Sequence, residues 1–320
     1  MAARQPKMIG VILAAGKGTR MYPFSETLPK PILPIGNRRL LDYQIDVMKR
    51  CGISEVLIVI GHMGYAIVDA LGHGEQHKVA IRYVEQRETL GMAHALGMLE
   101  QYIESPFMLF LGDIYFVTDD LRPLMEEVLS GTVNANLVSK IETDPEMIKR
   151  NFAIIESAPG RVAQVIEKPR YVRNQVKGCG LYIFDQHVFD AIRRTPRTAM
   201  RDEYEITDSI QIMINDGHTV CHRPVAKDDR NLTVPEDLLE INLIEMARRG
   251  LDKLIGRDVQ MPAGTVVEHS VIGDGVVLRH PIRIRNSLIF PGVRVGANND
   301  LEQVILDGVT TVHCGRRGRP

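Results

Sequence analysis

The amino-acid sequence predicts an α/β fold: a mixed, mostly parallel sheet with helices on both faces, followed by a short C-terminal left-handed β-helix. Two patterns carry this prediction. Short apolar runs alternate with amphipathic stretches over the first two thirds of the chain, as expected of βαβ units. From about residue 256, aliphatic residues instead recur every six positions with glycines between them, which is typical of a β-helix.

The predicted strand at 8–14 reads as buried and the one at 107–113 is continuously apolar, as in strands covered on both faces of a parallel sheet. In order, we predict a strand at 8–14, a helix at 38–52, a strand at 55–61, a helix near 64–72, a strand at 79–85, a helix at 91–103 and a strand at 107–113. Ligands of such sheets bind beyond the carboxyl ends of the strands. The segments after Ala14, Val84 and Leu111 are therefore the predicted site.

The six-residue period is formed by apolar residues spaced six positions apart, except at one point where the spacing shortens by one residue, which we call the slip. They are Val266, Ile272, Leu278, Ile284 and Phe290, followed after the slip by Val295 and Leu301. With about 18 residues in a three-sided coil, the segment forms about three coils. An irregular β-rich tail is the alternative interpretation. The predicted domains are 1–250, the β-helix at 251–314 and a basic tail at 315–320.

Composition favours an ordinary globular enzyme or binding protein. The chain has 320 residues, of which 44% are apolar and 25% charged, and its net charge of −1 gives no general attraction to nucleic acid or anionic membranes. No apolar run approaches the ~20 residues of a membrane-spanning helix, and the short N-terminal apolar stretch runs into a Gly/Lys loop. We expect a cytoplasmic protein with neither a nucleic-acid nor a membrane partner. The cysteines lie far apart and suggest neither disulfides nor a zinc site: Cys51, Cys179, Cys221 and Cys314.

The segment 13–36, LAAGKGTRMYPFSETLPKPILPIG, follows the first predicted strand and is rich in glycine and other small residues. It also contains Lys17, Arg20 and Lys30. Small residues let backbone N–H groups approach phosphate oxygens, and the cations supply the charge that a polyphosphate requires. The composition of this loop therefore predicts an anion site.

Two common phosphate loops do not fit this segment. A Walker A loop needs four residues between its glycine and the Gly-Lys pair, whereas five separate Gly10 from Gly16, and Lys17 is followed by Gly18 instead of Ser or Thr. A dinucleotide-binding G-x-G-x-x-G motif would need glycine where Met21 stands. Neither a P-loop ATPase nor an NAD enzyme is indicated.

Together with further segments, this loop resembles the sugar-1-phosphate nucleotidyltransferases, or NDP-sugar pyrophosphorylases, over residues 8 to 312. The further segments are QRETLGMAHAL (86–96), FLGD (110–113), EKP (167–169), GLYIFD (180–185), EITDSI (205–210) and NLTVPEDLLEIN (231–242). Their joint order and spacing carry the resemblance. The motifs are most similar to glucose-1-phosphate thymidylyl- and uridylyltransferases with a C-terminal hexapeptide-repeat β-helix. The resemblance implies a Rossmann-like sheet and a catalytic domain at 1–250.

The resemblance implies that a sugar-1-phosphate oxygen attacks the α-phosphorus of a nucleoside triphosphate and that pyrophosphate leaves. The protein then aligns the substrates and stabilises the charge on the phosphoryl oxygens, with Mg²⁺ assisting. The family's catalytic Arg and Lys map onto Arg20 and Lys30. The nucleotide-binding residues map onto Ala14, Ala15, Gly16, Gly18, Thr19, Gln86 and Gly91.

The expected Mg²⁺ ligands are one carboxylate and one amide. Asp113 ends the FLGD segment, where the family's aspartate binds the metal, and carboxylates are the hard ligands that Mg²⁺ prefers. Many relatives carry a second aspartate where this chain has Asn231, and some uridylyl- and cytidylyltransferase branches look similar in using Asn. We expect Asn231 to be the second ligand, with Asp228 or Asp229 as the alternatives.

Separate residues are expected to bind the nucleotide base and the sugar phosphate. The primary amide of Gln86 offers the donor and acceptor that uracil or thymine needs, which favours UTP or dTTP without separating them. The resemblance implies that Glu167, Lys168 and Gly180 bind the sugar phosphate. Ala153 stands where many relatives have glycine beside the sugar, so the identity of the sugar stays open.

The expected substrates are a nucleoside triphosphate and a sugar-1-phosphate similar to glucose-1-phosphate. The alternatives are a catalytically silent regulatory or nucleotide-binding subunit of the same fold, and a guanylyltransferase that uses mannose-1-phosphate. An acyltransferase role for the hexads is disfavoured, because His269 and His280 stand in no recognisable acetyl-CoA context. We expect the hexads to form the subunit contact of a homo-oligomer.

Overall fold

A computed structural model describes residues 7–199 and 202–315. Apart from Gly315, the expected basic tail lies outside the described residues. The described chain forms two compact units: the first contains 7–16 and 44–229, and the second contains 17–43 and 230–315. The predicted boundary after residue 250 stays a prediction. Across the described residues, no helix has the length and apolar character needed to cross a membrane.

A nine-stranded sheet forms the centre of the first unit, in the order β5-β4-β1-β6-β11-β8-β12-β10-β9. Up to residue 231 the strands of the chain are β1 (Ile9–Ala14), β2 (Pro34–Ile35), β3 (Arg38–Arg39), β4 (Glu55–Ile60), β5 (Ala80–Glu85), β6 (Phe107–Leu111), β7 (Ile114–Thr118), β8 (Ala135–Ile141), β9 (Phe152–Ala158), β10 (Arg161–Glu167), β11 (Val176–Phe184), β12 (Val220–Arg223) and β13 (Ala226–Asn231). The α-helices are α1 (Leu40–Arg50), α2 (Gly64–Leu71), α3 (Met92–Gly97), α4 (Arg122–Leu129), α5 (Pro145–Lys149), α6 (His187–Arg194), α7 (Ile206–Asn215) and α8 (Pro235–Arg248).

The sheet is parallel in one half and largely antiparallel in the other. Strands β5, β4, β1 and β6 run parallel; β1, β4 and β6 are largely buried, whereas β5 at the edge of the sheet is mostly exposed or half-buried. Val11 of β1 lies beside Leu57 of β4 and Leu109 of β6, and all three side chains are buried in one core cluster. Strand β11 then pairs antiparallel with both β6 and β8. The four predicted strands of the parallel half are confirmed.

The helix predicted over 91–103 is shorter in the structure. Helix α3 ends at Gly97, and the chain continues into a 3-10 turn at Glu100–Tyr102. Glycine in a helix interior is destabilising by about 1 kcal/mol relative to alanine, which favours an end at this position.

The second unit contains the hairpin β2–β3, helix α8 and a β-helix of short strands. The strands are β14 (Leu254–Ile255), β15 (Val266–Glu268), β16 (Val271–Ile272), β17 (Val277–Leu278), β18 (Arg283–Arg285), β19 (Leu288–Ile289), β20 (Arg294–Val295), β21 (Leu301–Glu302), β22 (Val304–Leu306) and β23 (Thr311–His313). They form three separate parallel ladders, as a β-helix requires. The last strand, β23, instead pairs antiparallel with β22.

Each coil of the β-helix has 17 residues, so the expected 18 is wrong. Val267 pairs with Ile284 one coil later, and buried Ser270 accepts a hydrogen bond from the backbone of Ser287, 17 positions away. Successive buried residues are separated by five, six and six positions, from Val267 to Ile272, Leu278 and Ile284.

The five-residue step recurs one coil later, from Ile284 to Ile289, whereas the sequence pattern places its single slip between Phe290 and Val295. The hexad phase was consequently wrong at Val266, which is 39% exposed, while Val267 is buried in its place.

Candidate functional site

The carboxyl ends of three parallel strands form a crowded backbone edge in the first unit. Gly61 follows β4 and Gly112 follows β6, on either side of β1. A methyl group on Gly61 would lie 2.6 Å from the carbonyl oxygen of Ala15, and one on Gly112 would lie 2.8 Å from that of Leu13. The predicted nucleotide-binding residues 14–16 therefore lie between Gly61 and Gly112. A side chain at either glycine would clash with the backbone of β1 or of the residue that follows it.

Asp113 occupies the short connection between β6 and β7. The buried amide of Gln44 in α1 donates 2.8 Å hydrogen bonds to the carbonyl oxygens of Leu111 and Ile114, on either side of Asp113. Asp113 itself is half-buried. Sequence reasoning did not select Gln44, although an amide inside an apolar helix segment was an available signal. The amide of Gln44 therefore holds the backbone of the β6–β7 connection, which carries the predicted metal ligand Asp113.

Gly180 lies against the same connection. Its φ of +70° is in the left-handed region that glycine tolerates best. A methyl group on Gly180 would lie 2.7 Å from Cδ1 of Ile114 and 2.8 Å from Cδ1 of Leu111. The structure therefore brings Gly180, predicted to bind the sugar phosphate, next to the residues that flank Asp113.

The predicted base-reading residue, Gln86, is the first residue after β5. Its backbone N–H donates to the carbonyl oxygen of Ile60 at 2.8 Å, and the residue is 5% exposed. The side-chain Nε2 lies 3.0 Å from Nδ1 of His94. The two side chains are thus within hydrogen-bond distance of each other. Sequence reasoning did not assign His94 to the site.

Gly91 and His94 are held by Tyr204 from a separate part of the chain. Gly91 precedes α3 with a φ of +107°, and a methyl group on it would lie 2.6 Å from the carbonyl oxygen of Tyr204. That oxygen also accepts a 3.0 Å hydrogen bond from the N–H of Ala93. The ring of Tyr204 lies roughly parallel to that of His94, with 6.3 Å between centroids. Gln86 and Gly91 thus belong to one packed group of residues.

Glu167 and Lys168 lie at the end of β10. Lys168 has a φ of +42°, an unfavourable conformation for a residue with a side chain, and its N–H donates to the carbonyl oxygen of Asn151 at 2.8 Å. Its Nζ is 3.7 Å from Oε1 of Glu167, while Thr207 donates a 3.4 Å hydrogen bond to Oε2 of Glu167. The turn holds both side chains at one end of the strand.

In the second unit, the loop at 17–30 brings Gly18 and Lys30 together. Gly18 has a φ of +65°, and a methyl group on it would lie 3.1 Å from both Cγ and Cε of Lys30. Lys30 is only 8% exposed, because its apolar stem is covered. Thr19 and Arg20 are exposed on the 3-10 turn Thr19–Met21 of the same loop. The loop therefore carries one buried and one exposed predicted catalytic cation.

The two alternative metal ligands are engaged by lysines of the first unit. Nζ of Lys177 donates a 2.8 Å hydrogen bond to Oδ1 of Asp229, and both side chains are buried. Burial raises the pKa of Asp229, an effect that Lys177 opposes. Nζ of Lys140 lies 3.7 Å from Oδ1 of Asp228. These ion pairs disfavour Asp228 and Asp229 as metal ligands.

Asp113 belongs to the first unit, and Asn231 ends β13 in the second. Each side chain offers an oxygen donor, which is the chemistry that Mg²⁺ prefers. Among residues 7–199 and 202–315, no group of three or more His, Cys, Asp or Glu side chains could hold a metal ion by itself.

A cavity of about 560 Å³ in the second unit contains none of the predicted site residues. Its lining includes Asn37, Arg38 and Asp42 from the N-terminal segment and Phe290 and Val309 from the β-helix. Arg39 also lines it, with Nε 3.0 Å from Oδ1 of Asp42. The cavity and the predicted site are therefore different features of the chain.

Comparison with known proteins identifies the class of protein. The chain belongs to the nucleotidyl transferase family, whose family model matches residues 9–228. A second family model, described as GlmU-like C-terminal hexapeptide, matches residues 246–317.

Similar curated proteins include the low-salt glycan biosynthesis nucleotidyltransferase Agl11 of Haloferax volcanii, 33% identical over 77% of this chain and 68% of the relative. A glucose-1-phosphate thymidylyltransferase of Streptomyces griseus is 30% identical over 89% of this chain and 81% of its own length. The UTP–glucose-1-phosphate uridylyltransferase AglF of Haloferax volcanii is 31% identical over 67% of this chain and 86% of the relative. The chain is accordingly an enzyme of the sugar-1-phosphate nucleotidyltransferase class.

Solved structures agree with the fold. A Bacillus anthracis protein assigned as a glucose-1-phosphate thymidylyltransferase, crystallised with a sucrose, has a TM-score of 0.66 and 28% identity, covering 74% of this chain and 94% of that one. A UDP-glucose pyrophosphorylase complexed with UDP-glucose has a TM-score of 0.67 and covers 76% of this chain and 100% of that one. At 20% identity, the second likeness concerns the fold alone.

Proposed function

We propose that this enzyme transfers a uridylyl or thymidylyl group from UTP or dTTP to a sugar-1-phosphate similar to glucose-1-phosphate. The products are a nucleoside diphosphate sugar and pyrophosphate. The observation that carries the proposal is the buried amide of Gln86, which is hydrogen-bonded to His94 at the carboxyl end of β5. The curated relatives named as thymidylyl- and uridylyltransferases support the same choice of base.

The triphosphate is bound by the phosphate loop. Backbone N–H groups of residues 14–16, together with Gly18 and Thr19, approach its oxygens, because small residues at these positions leave the backbone accessible. Arg20 and Lys30 supply positive charge to the α-phosphate and to the departing pyrophosphate, where negative charge increases during the reaction.

The sugar phosphate is bound by residues of the first unit. Glu167 accepts hydrogen bonds from sugar hydroxyls, and Lys168 contacts the phosphate. The absence of a side chain at Gly180 leaves the backbone accessible to the sugar. The α-phosphorus is then positioned for attack by the phosphate oxygen of the sugar-1-phosphate, which is the alignment on which this reaction depends.

Asp113 and Asn231 are the residues that would hold Mg²⁺. When bound, the ion would stabilise the negative charge of the phosphates. Asp113 supplies the charged oxygen of this donor pair and Asn231 a neutral one. The ion pairs Lys177–Asp229 and Lys140–Asp228 support Asn231 over its two acidic neighbours.

We also propose that residues 1–250 act as the catalytic domain and that the β-helix at 251–314 contacts further subunits of a homo-oligomer. The exposed apolar side chains of Ile255 and Val266 on the β-helix support an interface there. Sedimentation analysis of wild type and of the variant carrying Ile255→Asp and Val266→Asp tests this part. An unchanged assembly state in the double variant would argue against it.

A substrate panel tests the proposed reaction. The purified chain is incubated with ATP, CTP, GTP, UTP or dTTP, and with glucose-, mannose- or N-acetylglucosamine-1-phosphate, and pyrophosphate release is measured. We expect release with UTP or dTTP and glucose-1-phosphate to exceed that with every purine triphosphate. Preference for GTP with mannose-1-phosphate would instead support a guanylyltransferase.

A further inference from the structure

The fully buried side chain of Asn242 in α8 bonds to the backbone of the hairpin β2–β3. Its Oδ1 accepts a 2.8 Å hydrogen bond from the N–H of Gly36, and its Nδ2 donates 2.9 Å hydrogen bonds to the carbonyl oxygens of Pro34 and Leu238. A backbone N–H can only donate and a carbonyl oxygen can only accept, so these partners determine which end of the amide is which. The amide therefore attaches residues 34–36 to α8 in one geometry.

Lys30 lies a few residues before this attachment, and the chain between them is buried. Lys30 begins a 3-10 turn, in which the N–H of Leu33 donates a 3.1 Å hydrogen bond to the carbonyl oxygen of Lys30. Pro31 and Pro34 each have a φ fixed by their ring. Because this connection has few free torsions, a displacement of residues 34–36 would be passed on to Lys30.

The same segment has a second attachment to α8, through Tyr43. The hydroxyl of Tyr43 donates a 2.9 Å hydrogen bond to the carbonyl oxygen of Ile35. Nη2 of Arg249, the residue that ends α8, donates to that hydroxyl at 2.7 Å, and Nε of Arg249 donates to Oε1 of Glu245 in α8 at 2.7 Å. Tyr43 therefore holds the residue that lies between the two held by Asn242.

Helix α8 also follows the proposed metal ligand. It begins four residues after Asn231, and Oδ2 of Asp237 in its first turn accepts 2.8 Å hydrogen bonds from the N–H groups of Thr233 and Val234. At a rise of 1.5 Å per residue, Asp237 and Asn242 are about 7.5 Å apart along the helix. One helix is thus bonded to the chain beside Asn231 and to the β2–β3 hairpin.

We propose that Asn242 is a positioning residue for Lys30. It bonds the backbone that follows Lys30 to α8, and so keeps the lysine at a constant position relative to Asn231. All three residues belong to the second unit. This inference rests on the proposed function, in which Lys30 supplies charge to the phosphates. Asn242 need not touch a substrate, because it acts on the alignment of a charged group with the reacting phosphate.

A double-mutant cycle tests whether Asn242 acts through Lys30. Asn242→Leu keeps the branching of the side chain but removes both hydrogen bonds to residues 34–36. In the otherwise wild-type enzyme, kcat should fall about ten- to hundredfold, the loss typical of a reacting group misplaced by about 1 Å. In Lys30→Ala, the same substitution should change kcat little, because the lysine that it positions is gone. Equal losses in both backgrounds would overturn the inference.

Two further variants separate positioning from a general loss of stability. Tyr43→Phe removes the hydrogen bond to Ile35 and should cause a smaller fall in kcat with the same dependence on Lys30, so it carries the test if Asn242→Leu does not fold. Ile284→Ala removes a fully buried side chain inside the β-helix and leaves these hydrogen bonds in place. Circular dichroism at the assay temperature verifies that each protein is folded. A fall in kcat as large in Ile284→Ala as in Asn242→Leu would refute a positioning role.

The Lys30→Ala enzyme distinguishes failure of this inference from failure of the proposed function. If Lys30→Ala lowers kcat and the loss in Asn242→Leu simply adds to it, Lys30 supports catalysis without help from Asn242. If Lys30→Ala keeps a rate near that of wild type, the role of Lys30 in the proposed function fails, and the inference for Asn242 fails with it.

Discussion

The ring of Phe24 lies 5.3 Å from the ring of Phe290, centroid to centroid, with the two planes 30° apart. Phe24 belongs to the loop that also carries Arg20 and Lys30, and Phe290 belongs to the β-helix. Both aromatic residues are buried. The β-helix therefore packs directly against the loop that carries the predicted catalytic cations.

This contact predicts that a change in the β-helix weakens catalysis. Phe290→Ala should lower the free energy of unfolding by about 3–5 kcal/mol and reduce turnover, because the cavity removes support from the phosphate loop. Urea unfolding and initial rates measure the two effects. Arg294→Ala, at an exposed position of β20 in the same β-helix, is the control. Wild-type turnover in a folded Phe290→Ala protein would show that the loop needs no support from Phe290.

The cations of the loop should dominate the rate. Arg20→Ala and Lys30→Ala are each expected to lower kcat by about two to three orders of magnitude, the loss typical of removing one donor that stabilises transition-state charge. Lys49→Ala, which removes an exposed cation from the last turn of α1, should have little effect. The measurement is pyrophosphate release at saturating substrates, and near-normal rates in both loop variants would contradict the assignment.

The metal assignment predicts opposite effects for two substitutions of opposite charge. Asn231→Asp should keep activity and tighten Mg²⁺ binding, because it adds a charged oxygen. Asp113→Asn should severely impair turnover, because it removes the carboxylate of the proposed pair. The Mg²⁺ dependence of the initial rate is measured for wild type and both variants. Equal, modest effects or full activity in excess chelator would exclude this pair as the metal site.

The buried ion pair of Lys177 and Asp229 should affect stability most when only one of its two partners is removed. Lys177→Met is expected to lower the free energy of unfolding by about 3–5 kcal/mol, because it leaves a buried carboxylate without its lysine. The double variant with Asp229→Leu should recover much of that loss, since neither charge remains. Urea unfolding of both proteins provides the comparison. A double variant less stable than Lys177→Met would contradict this explanation.

The cysteines should be slow to react in the folded protein. Burial raises the pKa of the Cys51 and Cys179 thiols, and it raises that of Cys314 to about 11. Because only the thiolate attacks disulfide reagents, the reactive fraction of Cys314 at pH 8 falls to about one in a thousand. Peptide mapping after timed labelling should show slow modification of these three positions. Rapid labelling of all three before unfolding would contradict their burial.

Much of the fold could be predicted because it depends on local patterns. The runs that became β1, β4 and β6 are apolar enough to identify buried parallel strands, and the hexads identify a β-helix. The phase of the hexads could not be placed correctly, because a 17-residue coil contains two steps of six and one of five. A six-residue period therefore fits most of the segment while misplacing Val266.

The site was harder to predict where a side chain acts through a distant partner. The loop of Arg20 and Lys30 has a composition that suggests phosphate binding by itself. Nothing near Gln44 in the sequence reveals that its amide bonds to carbonyl groups 67 and 70 positions away. Such relationships arise from tertiary packing, which composition and spacing do not encode.

The reversed direction of β23 has a consequence for self-association. The last coil of a β-helix can expose backbone donors and acceptors along its edge. Another molecule could add its own coil to that edge, and repeated addition would produce a fibre. In this chain, β23 turns back and pairs antiparallel with β22, so the edge of that ladder is already covered by a strand of three residues. Short edge strands are poor templates. The return strand therefore protects this ladder against fibre-like growth and leaves its side faces available for closed, finite assemblies.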